Sequence, residues 1–183
     1  MDTSHDEAPE VLASEDIFQG RVFTVSSDKV REQGRVHVRE VVRHPGSAAI
    51  VPLFADRTVA LVKQYRHPAV KYLLEIPAGS RDNFETPEVA AARELQEELG
   101  LVAAHWEKLT EFFPSPGFLT EKMWVYLATD LTETESRPEE DELIECVRLP
   151  LARALDMIAA GEIEDAKTII GLHATLAKLK GGV

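Results

Sequence analysis

The chain has 183 residues, 44% of them hydrophobic and 28% charged, a length and balance that suit one globular domain and exclude a disordered or fibrous chain. Its 20 basic and 32 acidic residues give a net charge of -12, which argues against nucleic acid as a partner but leaves room for a small phosphorylated ligand held through a cation. The single cysteine, Cys146, excludes an internal disulfide and a cysteine-built metal cluster, so any metal must be held by oxygen or histidine.

Residues 1–14 carry no periodic apolar pattern and are expected to be a flexible terminus. Short β-branched and aromatic runs follow at Arg21 to Val25 and Val36 to Val42, with Gly34 between them, and predict an antiparallel hairpin within residues 15–45. Further strands are expected at Ala48 to Leu53, Val59 to Gln64 and Leu73 to Ile76. The longest nearly apolar run, Ala48 to Ala55, is far shorter than the ~18 residues of a membrane span, and the acidic start has no signal-peptide pattern. The expectation is a soluble, cytoplasmic protein without a membrane partner. At Thr86 the pattern changes: an N-cap residue, Pro87 at the first helical position, Glu88 in the first turn and Gly100 as C-cap predict a helix over Pro87 to Leu99. Val89, Ala92, Leu95 and Leu99 recur at helical spacing as its expected core face, with the charged residues on the other side. Strands are expected at Trp106 to Phe113, Lys122 to Thr129 and Ile144 to Leu149, the last after an acidic stretch. Helices over about Leu151 to Ala160 and Asp165 to Lys178 close the chain.

The charged helix carries Arg93, Glu94, Glu97 and Glu98, and residues three and four apart share a face, so three carboxylates can gather at one patch. That patch suits a solvated helix face or a hard-cation site, since Mg²⁺ takes oxygen ligands and keeps waters or phosphates in its shell. The same residues belong to a longer pattern: Gly79, five residues, Glu85, seven residues, Arg93 Glu94 Leu95, one residue, Glu97 Glu98, one residue, Gly100 Leu101. In physical terms the two glycines allow the backbone to enter and leave the helix, Leu95 anchors it, and the glutamates can gather a hard cation. Arg93 stays protonated and cannot act as a base; it is expected to pair with a glutamate, Glu85 being one candidate, and so support catalysis.

The pattern matches the Nudix box at every specified position, and the sequence resembles the Nudix hydrolases. Val42 to Gly46, Gln64 to Arg66, Glu75 to Gly79, Ser115 to Phe118, Gly161 to Ile163 and Ala166 to Thr168 are similar to the ADP-ribose pyrophosphatase branch, as is Pro116, sixteen residues after Gly100. The resemblance implies an α/β/α sandwich with a mixed β-sheet, plus the N-terminal antiparallel hairpin. Residues 15–45 would serve dimerisation and substrate binding, and residues 46–180 would form the hydrolase domain. It implies Mg²⁺, with Mn²⁺ as an alternative, and hydrolysis of ADP-ribose to AMP and ribose 5-phosphate by a homodimer. Glu94, Glu98 and the Ala78 carbonyl would bind metal with help from Glu97; Arg43, Arg66, Pro116 and Gly117 would bind substrate; Glu142 would activate water, with Glu139, Glu140 and Asp141 as competitors. No histidine set has a ligand spacing. Other nucleoside diphosphate sugars such as GDP-mannose, a sensor that binds ADP-ribose without turnover, and a sanitiser of oxidised triphosphates are the alternatives; a substrate panel separates them.

Overall fold

The computed structural model describes residues 8–82, 84–136 and 143–181. It divides into two compact units, one made of residues 1–45 and 115–121, the other of residues 46–114 and 122–183.

The first unit is an antiparallel sheet of β1 (Glu10–Gln19), β2 (Thr24–Glu32) and β3 (Arg35–Arg43), with β2 in the centre. The β2–β3 hairpin closes through Gln33 and Gly34, both at positive φ, the geometry that matches strand twist in a two-residue turn. The sequence places the first hairpin strand at Arg21 to Val25, whereas β2 runs on to Glu32. Its alternation is disguised, because the buried positions are Ser26, Asp28 and Val30, two of them polar. β1 adds a third strand that begins inside residues 1–14; almost every one of its residues is exposed, so no apolar periodicity announces it. Residues 115–121 lie along β3, with Val42 N–H donating to the Phe118 carbonyl at 2.7 Å and Thr120 N–H to the Val42 carbonyl at 2.9 Å.

The second unit holds β4 (Ser47–Pro52), β5 (Thr58–Arg66), β6 (Lys71–Glu75), β7 (Ala78–Ser80), α1 (Pro87–Leu99), β8 (Leu101–Phe112), β9 (Met123–Glu133), β10 (Glu145–Pro150), α2 (Leu151–Ala159) and α3 (Ala166–Gly181). One sheet has the order β7-β4-β9-β8 and is mixed, since β4 and β9 run parallel and the other pairs antiparallel; the second is antiparallel in the order β10-β5-β6. Successive residues of β4 face opposite cores, which is why it reads as a continuous apolar run. Ala48 and Ile50 pack with Ala90, Ala91 and Leu95 of α1, whereas Ala49 and Val51 pack with Leu151, Ile163 and Leu172 on the side of α2 and α3. This is the α/β/α arrangement. The expected helix matches α1 end to end: Thr86 Oγ1 accepts from Val89 N–H at 3.4 Å, and Gly100 closes the helix in the left-handed region at φ 60°. Leu95 is fully buried, worth about 2 kcal/mol by removal from water.

The core face of α1 departs from the expected one. Val89 is 53% exposed and Ala92 also faces solvent, whereas Ala90, Ala91, Glu94, Leu95 and Glu98 are buried. Two of the glutamates thus belong to the inward face. β7, three residues long, escapes sequence reading because it exists only by pairing with β4. Among the described residues, no helix is long and apolar enough to cross a membrane.

Candidate active site

The inward face of α1 meets the backbone of β7. Glu94 and Glu98 are one turn apart and only 8% and 6% exposed. Glu98 Oε2 accepts from the Ala78 N–H at 3.3 Å, and the Glu94 carboxylate lies directly over Gly79. A Cβ on Gly79 would stand within 3.0 Å of both Glu94 carboxylate oxygens and Cδ. The glycine is therefore required by the close approach of a carboxylate, not by a left-handed turn, which is where the structure revises the reading of Gly79. Gly100 does occupy the left-handed region.

Arg93 binds the surrounding carboxylates. Its Nε donates to Glu85 Oε1 at 3.0 Å; Nη1 donates to Glu94 Oε1 at 2.7 Å and Glu97 Oε2 at 2.8 Å; Nη2 donates to Glu85 Oε2 at 3.2 Å and the Ser80 carbonyl at 3.1 Å. These bonds engage all the N–H groups a guanidinium has. Arg93 consequently frames the glutamates and has no donor left over for a substrate. Its hydrogen bond holds the Glu85 carboxyl below the ordinary carboxylate range, against a smaller opposing effect of burial. The same Glu85 contact raises the Arg93 pKa.

Arg66, at the end of β5, is gripped from one side. Its Nε and Nη2 donate to the two oxygens of Glu75, each at 2.8 Å, in the forked geometry that fixes a guanidinium plane. Glu75 is 1% exposed and Arg66 is 40% exposed at the side chain. The Nη1 group has no partner among the described residues. Hydrogen bonding to Glu75 raises the Arg66 pKa against the effect of burial, with a lesser contribution from the Glu98 carboxylate.

In the first unit, Arg43 is held by the same edge. Nε donates to Ser26 Oγ at 2.9 Å and Nη2 to Asp28 Oδ2 at 2.6 Å. Asp28 also accepts from Ser14 Oγ at 2.6 Å. The Ser14 bond is the strongest influence holding the Asp28 carboxyl below its ordinary range, with burial opposing and Arg43 assisting. Pro116 and Gly117 sit in an exposed turn of this unit, where Leu119 N–H donates to the Ser115 carbonyl at 3.1 Å. Glu142 and its competitors Glu139, Glu140 and Asp141 lie outside the described residues.

Sequence reasoning assigns no role to Glu75, Lys167, Asp28 or Ser14, yet Glu75 and Asp28 bind Arg66 and Arg43, and Lys167 and Ser14 bind those two acids in turn. The available signal was a lone acid closing an apolar strand, Leu73 Leu74 Glu75 Ile76.

Comparison with known proteins places the chain in a family. The chain is 38% identical over 165 residues to an ADP-ribose pyrophosphatase of Bacillus subtilis, covering 88% of this chain and 89% of the relative. It is 39% identical over 177 residues to an ADP-ribose pyrophosphatase of Mycobacterium tuberculosis, covering 94% and 85%. A crystal structure described as an ADP compounds hydrolase superposes with a TM-score of 0.84 at 28% identity, covering 96% of each chain. Residues 43–170 match the Nudix domain, and with its box, its sandwich and its glutamate helix in place the chain belongs to the Nudix hydrolase family.

Proposed function

We propose that this protein hydrolyses the diphosphate of ADP-ribose to AMP and ribose 5-phosphate in a reaction dependent on Mg²⁺, with Mn²⁺ as a substitute. The observation that carries the reading is the pair of nearly buried carboxylates, Glu94 and Glu98, seated on the Ala78–Gly79 backbone. Buried charge is costly unless it is paired or binds metal, and an all-oxygen donor set suits a hard cation. The names of the relatives in Bacillus subtilis and Mycobacterium tuberculosis supply the substrate class.

Glu94, Glu98 and the Ala78 carbonyl would hold the cation, with Glu97 at the outer edge. When bound, the ion offsets charge on the diphosphate and lowers the pKa of coordinated water. Arg93 bridges Glu85, Glu94 and Glu97, offsets the repulsion between them and fixes their orientation. Arg66, clamped on its Nε–Nη2 edge, would offer its remaining N–H groups to phosphate or ribose oxygens, and Arg43, clamped in the same way within the first unit, is the other candidate for that role. Pro116 and Gly117 would line the substrate, and Glu142 would take the proton from the attacking water. The N-terminal strands of residues 15–45 would pair two copies into a homodimer, since an open sheet edge invites such pairing.

Initial rates on ADP-ribose, GDP-mannose, UDP-glucose and NADH at equal concentration with Mg²⁺ test the reading. ADP-ribose should be cleaved fastest; preference for GDP-mannose would keep the chemistry and discard the substrate, and tight binding of ADP-ribose without turnover would make the protein a sensor.

A further inference from the structure

Behind Arg66 lies a chain of charges that alternates in sign and ends on the first turn of α3. The buried Glu75 carboxylate takes both forked bonds of Arg66. Its Oε2 also accepts from Lys167 Nζ, itself buried. Lys167 reaches on to Asp165 Oδ1 at 3.0 Å, and Asp165 Oδ2 accepts from Thr168 N–H at 2.9 Å, which caps the helix. Thr168 Oγ1 in turn accepts from the N–H of Ile76, the residue after Glu75, at 2.8 Å.

From this geometry we propose that Lys167 is a positioning residue for substrate affinity, acting through Glu75 on Arg66. The inference rests on the reading of Arg66 as a diphosphate-binding group. An arginine paired one to one with a buried carboxylate is nearly neutral to an approaching anion, because the two charges cancel at a distance. Lys167 draws the Glu75 charge towards the α3 side, where Asp165 is matched by the helix N-terminus, so the positive end of the chain is the half-exposed Arg66. The fork also fixes the guanidinium plane, so the Nη1 group is held ready instead of being ordered on binding. Lys167 itself is buried, and its ammonium is taken up by Glu75 and Asp165. Its effect therefore belongs in binding and not in the bond-breaking step.

The test compares KM and kcat for ADP-ribose with a calorimetric Kd for ADP-ribose in the absence of divalent cation, for the full chain and for Lys167→Met. KM and Kd should both rise about tenfold while kcat changes by less than about threefold, the pattern of a lost binding contribution. In an Arg66→Lys background, which cannot make the fork, Lys167→Met should add nothing further, because both changes interrupt one pathway. A double variant Glu75→Gln/Lys167→Met removes both buried charges together. It should melt near the parent temperature yet keep the raised KM, and it carries the comparison if Lys167→Met alone does not fold. Unchanged KM and Kd in the variants, or an equal rise in the Arg66→Lys background, would overturn the proposal. A parent protein that neither binds nor cleaves ADP-ribose would overturn the functional reading itself, an outcome visible before any variant is made.

Discussion

Replacing Gly79 by alanine separates two explanations of that glycine. Its φ is not positive, so alanine meets no backbone strain there. The obstacle is the Glu94 carboxylate, all three of whose atoms would lie within 3.0 Å of the new Cβ. The end of a glutamate can swing away, so the fold survives, but Glu94 must leave its seat and lose its 2.7 Å bond to Arg93. A charge-assisted hydrogen bond is worth about 2 kcal/mol, and the lower entropy of the unfolded alanine chain returns about 0.7 kcal/mol. The net loss is about 1 kcal/mol, or roughly 2–4 °C in Tm for a chain of this size. Activity should respond far more, since misplacing a catalytic group by about 1 Å costs about 100-fold. Calorimetric melting and kcat at saturating Mg²⁺ measure the two effects. A Gly79→Ala protein with kcat within threefold of the parent would refute the seating of Glu94 on the β7 backbone.

Other outcomes follow from the same contacts. Glu98→Gln keeps the shape of the side chain and removes its charge, and should lower kcat by about 100-fold or more with little change in Tm. Arg93→Met strips a partly buried cation from three carboxylates and should cost about 3 kcal/mol, read by urea unfolding. For Glu75, burial pushes the carboxyl up, but Arg66 and Lys167 outweigh it and the net value lies below the ordinary 4.5. A depressed carboxyl contributes stability that is full above its unfolded value and is lost as pH falls through the folded one. Glu75→Gln should therefore be less stable at neutral pH and lose less on acidification below about pH 4.5 than the parent, in melts across that range.

Local signals carried the reading furthest where a single residue decides an outcome. Thr86, Pro87 and Gly100 mark both ends of α1 because capping is short-range chemistry, and Arg93, always protonated and so in need of an acid, pairs with Glu85, the candidate named from the sequence. The inward face of α1 was misread because periodicity counts apolar residues, and this face buries Glu94 and Glu98 in place of Val89 and Ala92. Burial of a carboxylate depends on what lies opposite, here the bare backbone at Gly79, and no spacing rule contains that. β1 and β7 were illegible for the same reason: each is defined by its partner strand. The family resemblance points to Arg43 and Arg66 as substrate-binding residues, but the acids that orient them, Asp28 and Glu75, lie 15 and 9 residues away on neighbouring strands.

The most direct measurement is hydrolysis of ADP-ribose in H₂¹⁸O with Mg²⁺, followed by mass analysis of the products from the parent and from Glu98→Gln. The account predicts AMP and ribose 5-phosphate in equal amounts, one ¹⁸O incorporated per turnover, and loss of both products in the variant. Adenosine diphosphate and free ribose as products, or undiminished turnover by Glu98→Gln, would contradict it.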